Sequence, residues 1–167
     1  ADQSFSATVA QEYGLTLSSP DDATKAPGET AEFVYTITNT GNGDDSYAVV
    51  VSGPSAYSPA SDQVEVTVAA DGTGQFVVSA TVPADKQAHT QSGDFTVTVT
   101  SEDPGTPMFA EDVVKVTTAQ VYNLAFESGA KSVSVAQDSS GGITVNLTNS
   151  GNGPETVTFA LDGAPAF

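Results

Sequence analysis

Apolar residues fall at every second position through most of this chain: Phe33, Tyr35 and Ile37; Tyr47, Val49 and Val51; Val64, Val66 and Val68; Phe76, Val78 and Ala80; Phe95, Val97 and Val99; Val114 and Val116. A period of two turns one side of an extended segment toward an apolar interior, and no stretch of ten or more residues carries the stripe of a helix. The pattern predicts strands at 13–18, 29–39, 45–52, 63–68, 74–82, 94–101 and 111–120, with Leu15 and Leu17 facing inward on the first. Turn chemistry separates them: Ser19-Pro20-Asp21-Asp22, Pro27-Gly28, Gly41-Asn42-Gly43, Asp71-Gly72, Pro83-Ala84-Asp85 and Asp103-Pro104-Gly105. Glycine and asparagine tolerate positive φ at such places, and proline sets the start of a turn. Seven short strands with one apolar face each imply two antiparallel sheets packed face to face.

The pattern also repeats. Ala10-Gln11-Glu12-Tyr13-Gly14-Leu15-Thr16-Leu17 returns as Ala119-Gln120-Val121-Tyr122-Asn123-Leu124-Ala125-Phe126, and Thr38-Asn39-Thr40-Gly41-Asn42-Gly43 returns as Thr148-Asn149-Ser150-Gly151-Asn152-Gly153. A domain-sized period is the signature of a tandem array. In that register residues 1–11 read as the terminal strand of a preceding module, 12–120 as one complete module and 121–167 as the first half of a following one. The following unit repeats the inward positions as Leu124 and Phe126, Val133 and Val135, Ile143, Val145 and Leu147, then Val157, Phe159 and Leu161. Half a sandwich cannot bury its own apolar face, so either further chain or a strand from a neighbour is expected to complete it.

The run Pro27-Gly28-Glu29-Thr30-Ala31-Glu32-Phe33-Val34-Tyr35-Thr36-Ile37-Thr38-Asn39-Thr40-Gly41-Asn42-Gly43 resembles the signature of prokaryotic cell-surface immunoglobulin-like repeats, the CARDB-like and NEW-type sandwich modules. Gly151-Asn152-Gly153 keeps the turn in the second copy, with Pro154 in place of Asp44. The resemblance implies an all-β fold of tandem immunoglobulin-like antiparallel β-sandwiches, one complete and one truncated. It also implies service in S-layer proteins, adhesin stalks, surface filaments, or as spacers beside catalytic domains.

Charge narrows the partners. Twenty-one acidic residues stand against four lysines and no arginine, for a net charge of −17, which excludes the clustered cations that nucleic acid or anionic lipid needs. A composition rich in Thr, Ser, Val, Ala and Gly fits a folded, polar-surfaced β protein, of the kind salt-adapted surfaces carry, better than a disordered acidic tail. No cysteine is present, so an apolar core must hold each module, and no apolar run reaches the roughly 20 residues of a membrane span.

Catalysis has little to work with: His89 is the single histidine, it sits in a polar stretch, and no nucleophile-elbow motif accompanies it. Calcium is the ion whose chemistry best matches the acidic pairs Asp21-Asp22, Asp44-Asp45, Glu102-Asp103 and Glu111-Asp112, because it takes six to eight hard oxygen ligands. The candidates are Glu12, Asp44, Asp45, Glu102 and Asp103, with Glu12 and Asp103 as the pair expected at a junction between modules. None of the pairs has EF-hand spacing, and so acidic a chain also places such pairs on its surface simply as solvated groups. Asn146-Leu147-Thr148 matches the N-glycosylation acceptor, with Asn146 facing outward, and Tyr57, Phe109 and Phe167 are aromatic candidates for a surface contact. The expected function is a non-catalytic structural module of an extracellular cell-surface array whose partners are copies of itself, neighbouring modules and cell-envelope glycan. The alternative is a carbohydrate- or cell-wall-binding accessory module of a secreted hydrolase.

Overall fold

The computed structural model describes residues 3–102, 105, 107–129 and 131–160, arranged in two units, Ala1–Ala119 and Gln120–Phe167. In the first unit the alternating segments form strands β1 (Leu15–Leu17), β2 (Ala23–Lys25), β3 (Thr30–Asn39), β4 (Asp45–Ser52), β5 (Ala60–Ser61), β6 (Glu65–Val68), β7 (Thr73–Thr81), β8 (Phe95–Ser101), β9 (Phe109–Val114) and β10 (Val116–Thr118). One sheet has the order β1-β3-β7-β5 and the other β6-β4-β8-β9, with every pairing in both antiparallel. The fold is an all-β immunoglobulin-like sandwich.

The alternation explains the core. Along β3 the burial runs strictly by twos, so Phe33, Tyr35 and Ile37 face the opposite sheet while Glu32 and Val34 face solvent. Phe76, Val78 and Ala80 from β7 lie beside them on the same sheet, Tyr47, Val49, Val66, Val68, Phe95, Val97, Val99 and Val114 face them from the other sheet, and Val116 of β10 joins the same cluster. Tyr35 stacks on Phe76 with ring centroids 5.2 Å apart, which adds to the area term. Leu15, Leu17 and Val51 are partly buried against this cluster.

Three expectations differ from the structure. Val64 is 79% exposed, although its parity matches Val66 and Val68. The chain at 60–62 belongs to the opposite sheet, where Asp62 N donates to Val77 O at 3.0 Å and Val77 N to Asp62 Oδ1 at 2.7 Å. Val64 therefore stands where the chain arrives from the opposite sheet: its carbonyl already accepts from Val49 N of β4 at 2.9 Å, but its side chain stays in solvent. Tyr57 is buried and not a surface aromatic: a short 3₁₀ turn (Ser55–Tyr57) drops its ring against Phe95 in an edge contact at 5.6 Å. The expected last strand at 111–120 is split, because β9 pairs antiparallel with β8 whereas β10 pairs parallel with β2, a strand the alternation did not reveal. At the switch, Lys115 N donates to Asp22 Oδ1 at 2.7 Å, which satisfies the amide that leaves one ladder before joining the other.

The second unit holds β11 (Leu124–Phe126) paired antiparallel with β12 (Leu147–Asn149). Its register, Leu124 opposite Asn149 and Phe126 opposite Leu147, matches that of β1 on β3, Leu15 opposite Asn39 and Leu17 opposite Ile37. Leu124, Phe126, Val133, Val135, Ile143, Val145 and Phe159 are all at least 40% exposed, whereas Phe33, Tyr35 and Val49, the counterparts of Ile143, Val145 and Phe159 on β3 and β4, are buried, and Leu15 and Leu17, the counterparts of Leu124 and Phe126 on β1, are partly buried. Leu161 and Phe167 lie outside the described residues.

Candidate functional site

A hydrogen-bonded clasp joins the segment before β1 to the Asn-Gly turn after β3. Asn39 Oδ1 accepts from Gly41 N at 2.8 Å, and its Nδ2 donates to Gly43 O at 2.9 Å and Val68 O at 3.1 Å. Asn42 Oδ1 accepts from Glu12 N at 2.7 Å, and Asn42 N donates to Glu12 O at 3.1 Å. Gln11 Nε2 donates to Asp44 O at 2.9 Å, and Thr40 N to Gly14 O at 2.9 Å. A side chain on Gly41 would collide with the Glu12 carbonyl, so only glycine admits this close approach.

The second unit rebuilds most of the clasp. Gly151 N donates to Asn149 Oδ1 at 2.8 Å, Asn149 Nδ2 to Gly153 O at 2.9 Å, Val121 N to Asn152 Oδ1 at 2.7 Å and Asn152 N to Val121 O at 3.3 Å. Gln120 Nε2 reaches Pro154 O at 3.2 Å, and Ser150 N donates to Asn123 O at 2.8 Å. A Cβ on Gly151 would meet the Val121 carbonyl, as one on Gly41 would meet that of Glu12. Val121 occupies the place of Glu12, so this position serves the clasp through its main chain, and Pro154 accepts through a carbonyl that Asp44 also has. The repeated residues are those whose side chains or backbone freedom the geometry uses.

Beside the first clasp lies an open depression of about 310 Å³ lined by Gln11, Tyr13, Asp44, Asp45, Ser46, Thr67 and Glu102. Of the acidic candidates it gathers Asp44, Asp45 and Glu102, while Glu12 does not line it and Asp103 lies outside the described residues. Two of these carboxylates already have protein partners. Asp45, 7% exposed, accepts from Ser101 Oγ at 2.6 Å, and Asp44 Oδ1 accepts from Ala70 N at 3.2 Å. Among the described residues no group of three or more His, Cys, Asp or Glu side chains is placed to hold a metal ion. Burial, with the Asp45 carboxylate nearby, pushes the Tyr47 phenol up to about 12, and its hydroxyl donates to Gly14 O at 3.1 Å. Tyr35 is raised further by burial and by Asp112, whose Oδ2 accepts its hydroxyl at 2.9 Å. Both phenols are polar ties within the sandwich.

The other candidates are dispersed. His89 lies in an exposed loop at φ 63°, its backbone N–H donating to Thr118 O at 2.8 Å. Asn146 is exposed, and its Nδ2 donates to Glu127 Oε2 at 2.9 Å. Phe109 is 69% exposed on β9. Among the described residues no helix is long and apolar enough to cross a membrane.

No family model and no curated protein matches the chain. Solved structures of similar chain path include the PapD-like domain 7 of human CEP192, at 13% identity and a TM-score of 0.48 over 71% of this chain and 97% of that one. WR4, a C. elegans MSP family member, is similar at 14% identity and a TM-score of 0.42 over 63% of this chain and 97% of that one. The Pseudomonas aeruginosa CupB2 chaperone is similar at 10% identity and a TM-score of 0.45 over 58% of this chain, a match that spans 53% of the chaperone. The sandwich assignment rests on the strand registers described above.

Proposed function

We propose that this chain is a non-catalytic structural part of an extracellular cell-surface array, of the S-layer, surface-filament or adhesin-stalk kind. The observation that carries this reading is the duplicated clasp: the same hydrogen bonds recur at offsets of 109 and 110 residues, linking each turn to the segment that leads into its unit. A main-chain-directed clasp fixes how the chain enters a module while leaving the outer faces free to vary. That is useful to a scaffold, and it places no reactive groups together. The net charge of −17 suits the same role, since like charges keep neighbouring sandwiches soluble and apart except where uncharged stretches meet.

The test is electron microscopy of the protein in its natural envelope, combined with intact mass. Sandwich modules built on ten-residue strands repeat on the order of every 40 Å. Density with that repeat, and a mass well above the 16.9 kDa of these residues, is the expected result. Isolated particles lacking any repeat, whatever their mass, overturn the reading.

A further inference from the structure

Of the six asparagines, Asn42 and Asn152 are the two followed by glycine; Asn39, Asn123, Asn146 and Asn149 precede Thr40, Leu124, Leu147 and Ser150. An Asn-Gly step carries a reaction of its own. The main-chain nitrogen after an asparagine can attack the side-chain amide carbon and close a five-membered imide. Glycine leaves that nitrogen clear of side-chain hindrance and its backbone free to turn. Both steps lie in the clasps, so the reaction acts on the bonds that tie each turn to the segment entering its unit.

A closed clasp holds the reaction back. The Asn42 carboxamide is held across it at both ends, Oδ1 accepting from Glu12 N at 2.7 Å and Nδ2 donating to Ala10 O at 3.0 Å. Asn152 Oδ1 likewise accepts from Val121 N at 2.7 Å. Ring closure expels Nδ2 and turns the side chain back on its own main chain, so these bonds must open first. The nucleophile, by contrast, is idle: among the described residues neither Gly43 N nor Gly153 N donates a hydrogen bond. Asn42 is exposed and Asn152 half-buried, so water has access to the imide.

We propose that Asn42-Gly43 and Asn152-Gly153 are self-modifying latches: each deamidates when its clasp opens, and the product disfavours closure. Gly43 N bonds to Asn42 Cγ while the Cγ–Nδ2 bond breaks, and Nδ2 leaves as ammonia, taking up through solvent the proton that Gly43 N gives up. Water then opens the imide, its hydroxyl going to a carbonyl carbon and its hydrogen to the nitrogen. Attack at the side-chain carbonyl gives aspartate; attack at the main-chain carbonyl gives an isoaspartyl link that runs the chain through Cγ. Water is the one co-reactant. Aspartate at 42 keeps an oxygen for Glu12 N but sets a carboxylate oxygen, in place of the Nδ2 donor, against Ala10 O, two residues from Asp44. An isoaspartyl link lengthens the main chain by one carbon and displaces Gly43 O, which accepts from the buried Asn39 Nδ2 at 2.9 Å. Ammonia is lost to solvent, so the change runs one way. The latch stands on the clasp geometry alone, whether or not the chain belongs to an array.

The two copies serve as controls for one another. The full chain is incubated in mildly alkaline buffer, and peptide mapping that separates asparagine, aspartate and isoaspartate follows both sites. In the folded chain each site is expected to react about ten-fold more slowly than in the same chain unfolded by guanidinium chloride, because clasp bonds must open first. Gln11→Ala removes the exposed bond from Gln11 Nε2 to Asp44 O, and is expected to speed Asn42 about three-fold while leaving Asn152 unchanged. Gln120→Ala, which removes the bond to Pro154 O, is expected to speed Asn152 and leave Asn42 unchanged. Hydrogen exchange at Glu12 N should rise about five-fold once residue 42 has deamidated. Reaction at the unfolded rate within the folded chain, variants that speed both sites or neither, or a deamidated chain whose Glu12 amide exchanges as before each overturns the proposal. Repeating density in the natural envelope tests the scaffold reading separately from all of these.

Discussion

Replacing Asn39 by alanine is expected to be among the most damaging single changes in the clasp. The amide is 1% exposed and uses every bond it can reach: Gly41 N, Gly43 O and Val68 O, all within 3.1 Å. Each such bond contributes about 1 kcal/mol net, and a buried group left without a partner costs about 1–3 kcal/mol, so Asn39→Ala should lose about 3 kcal/mol. Asn42 supplies the control within the same unit. It also makes two side-chain bonds, at 2.7 and 3.0 Å, but it is exposed, so water replaces what alanine removes and the loss should stay below about 1 kcal/mol. Asn39→Asp should be at least as harmful at neutral pH, since its second carboxylate oxygen would face the carbonyls of Gly43 and Val68. That repulsion raises the folded-state pKa of the new carboxyl above its unfolded value. Its stability would therefore improve as pH falls through that range and decline as pH rises through it. Urea unfolding followed by far-ultraviolet circular dichroism measures all three, with an unchanged denaturant slope showing that the folded state is the same. Equal losses for Asn39→Ala and Asn42→Ala, within about 0.5 kcal/mol, would refute the argument that burial sets the magnitude.

Gly41→Ala should cost about 1–3 kcal/mol, because its Cβ meets the Glu12 carbonyl and approaches Asn39 Oδ1 at 3.1 Å; thermal unfolding reads it as a loss of several degrees. Ser101→Ala removes the hydroxyl donor to the buried Asp45 carboxylate and should cost about 1–3 kcal/mol in the same assay, whereas Ser101→Thr, which keeps a hydroxyl, should recover part of it. Tyr47 binds its proton more tightly folded than unfolded, with the folded value at about 12 against 10.0. Its contribution to stability is thus whole below pH 10 and is lost as pH rises toward 12. Tyrosinate absorbance and circular dichroism should consequently show the buried tyrosines ionising together with unfolding, and ionisation of Tyr47 near pH 10 in an intact fold would contradict its burial.

Much of the first unit was legible because a strand's alternation is a local property. Phe33, Tyr35, Ile37, Phe76, Val78, Phe95, Val97 and Val99 were placed inward by counting twos, and all are buried. The duplicated Asn-x-Gly turn was legible as well, since residues that must accept or donate at a tight bend are few and recur as a word. Tertiary structure decided what depends on where the chain goes next. Val64 kept the right parity but stands where the chain arrives from the opposite sheet, with its side chain in solvent, and Tyr57 sits in a polar stretch yet fills the end of the core because a short turn points it there. The pairing of β10 with β2 brings together residues some ninety positions apart, and a parallel partner leaves no turn signal between the strands to announce it. In the same way, the sequence marked Asn39 as a turn residue and Asp45 as a candidate calcium ligand. Their burial came from Val68 and Ser101, which only folding brings alongside them. Alternation and turn chemistry thus determined which faces turn inward and where the chain reverses. Which strand lies beside which, and hence which polar group must find its partner away from water, was decided by packing.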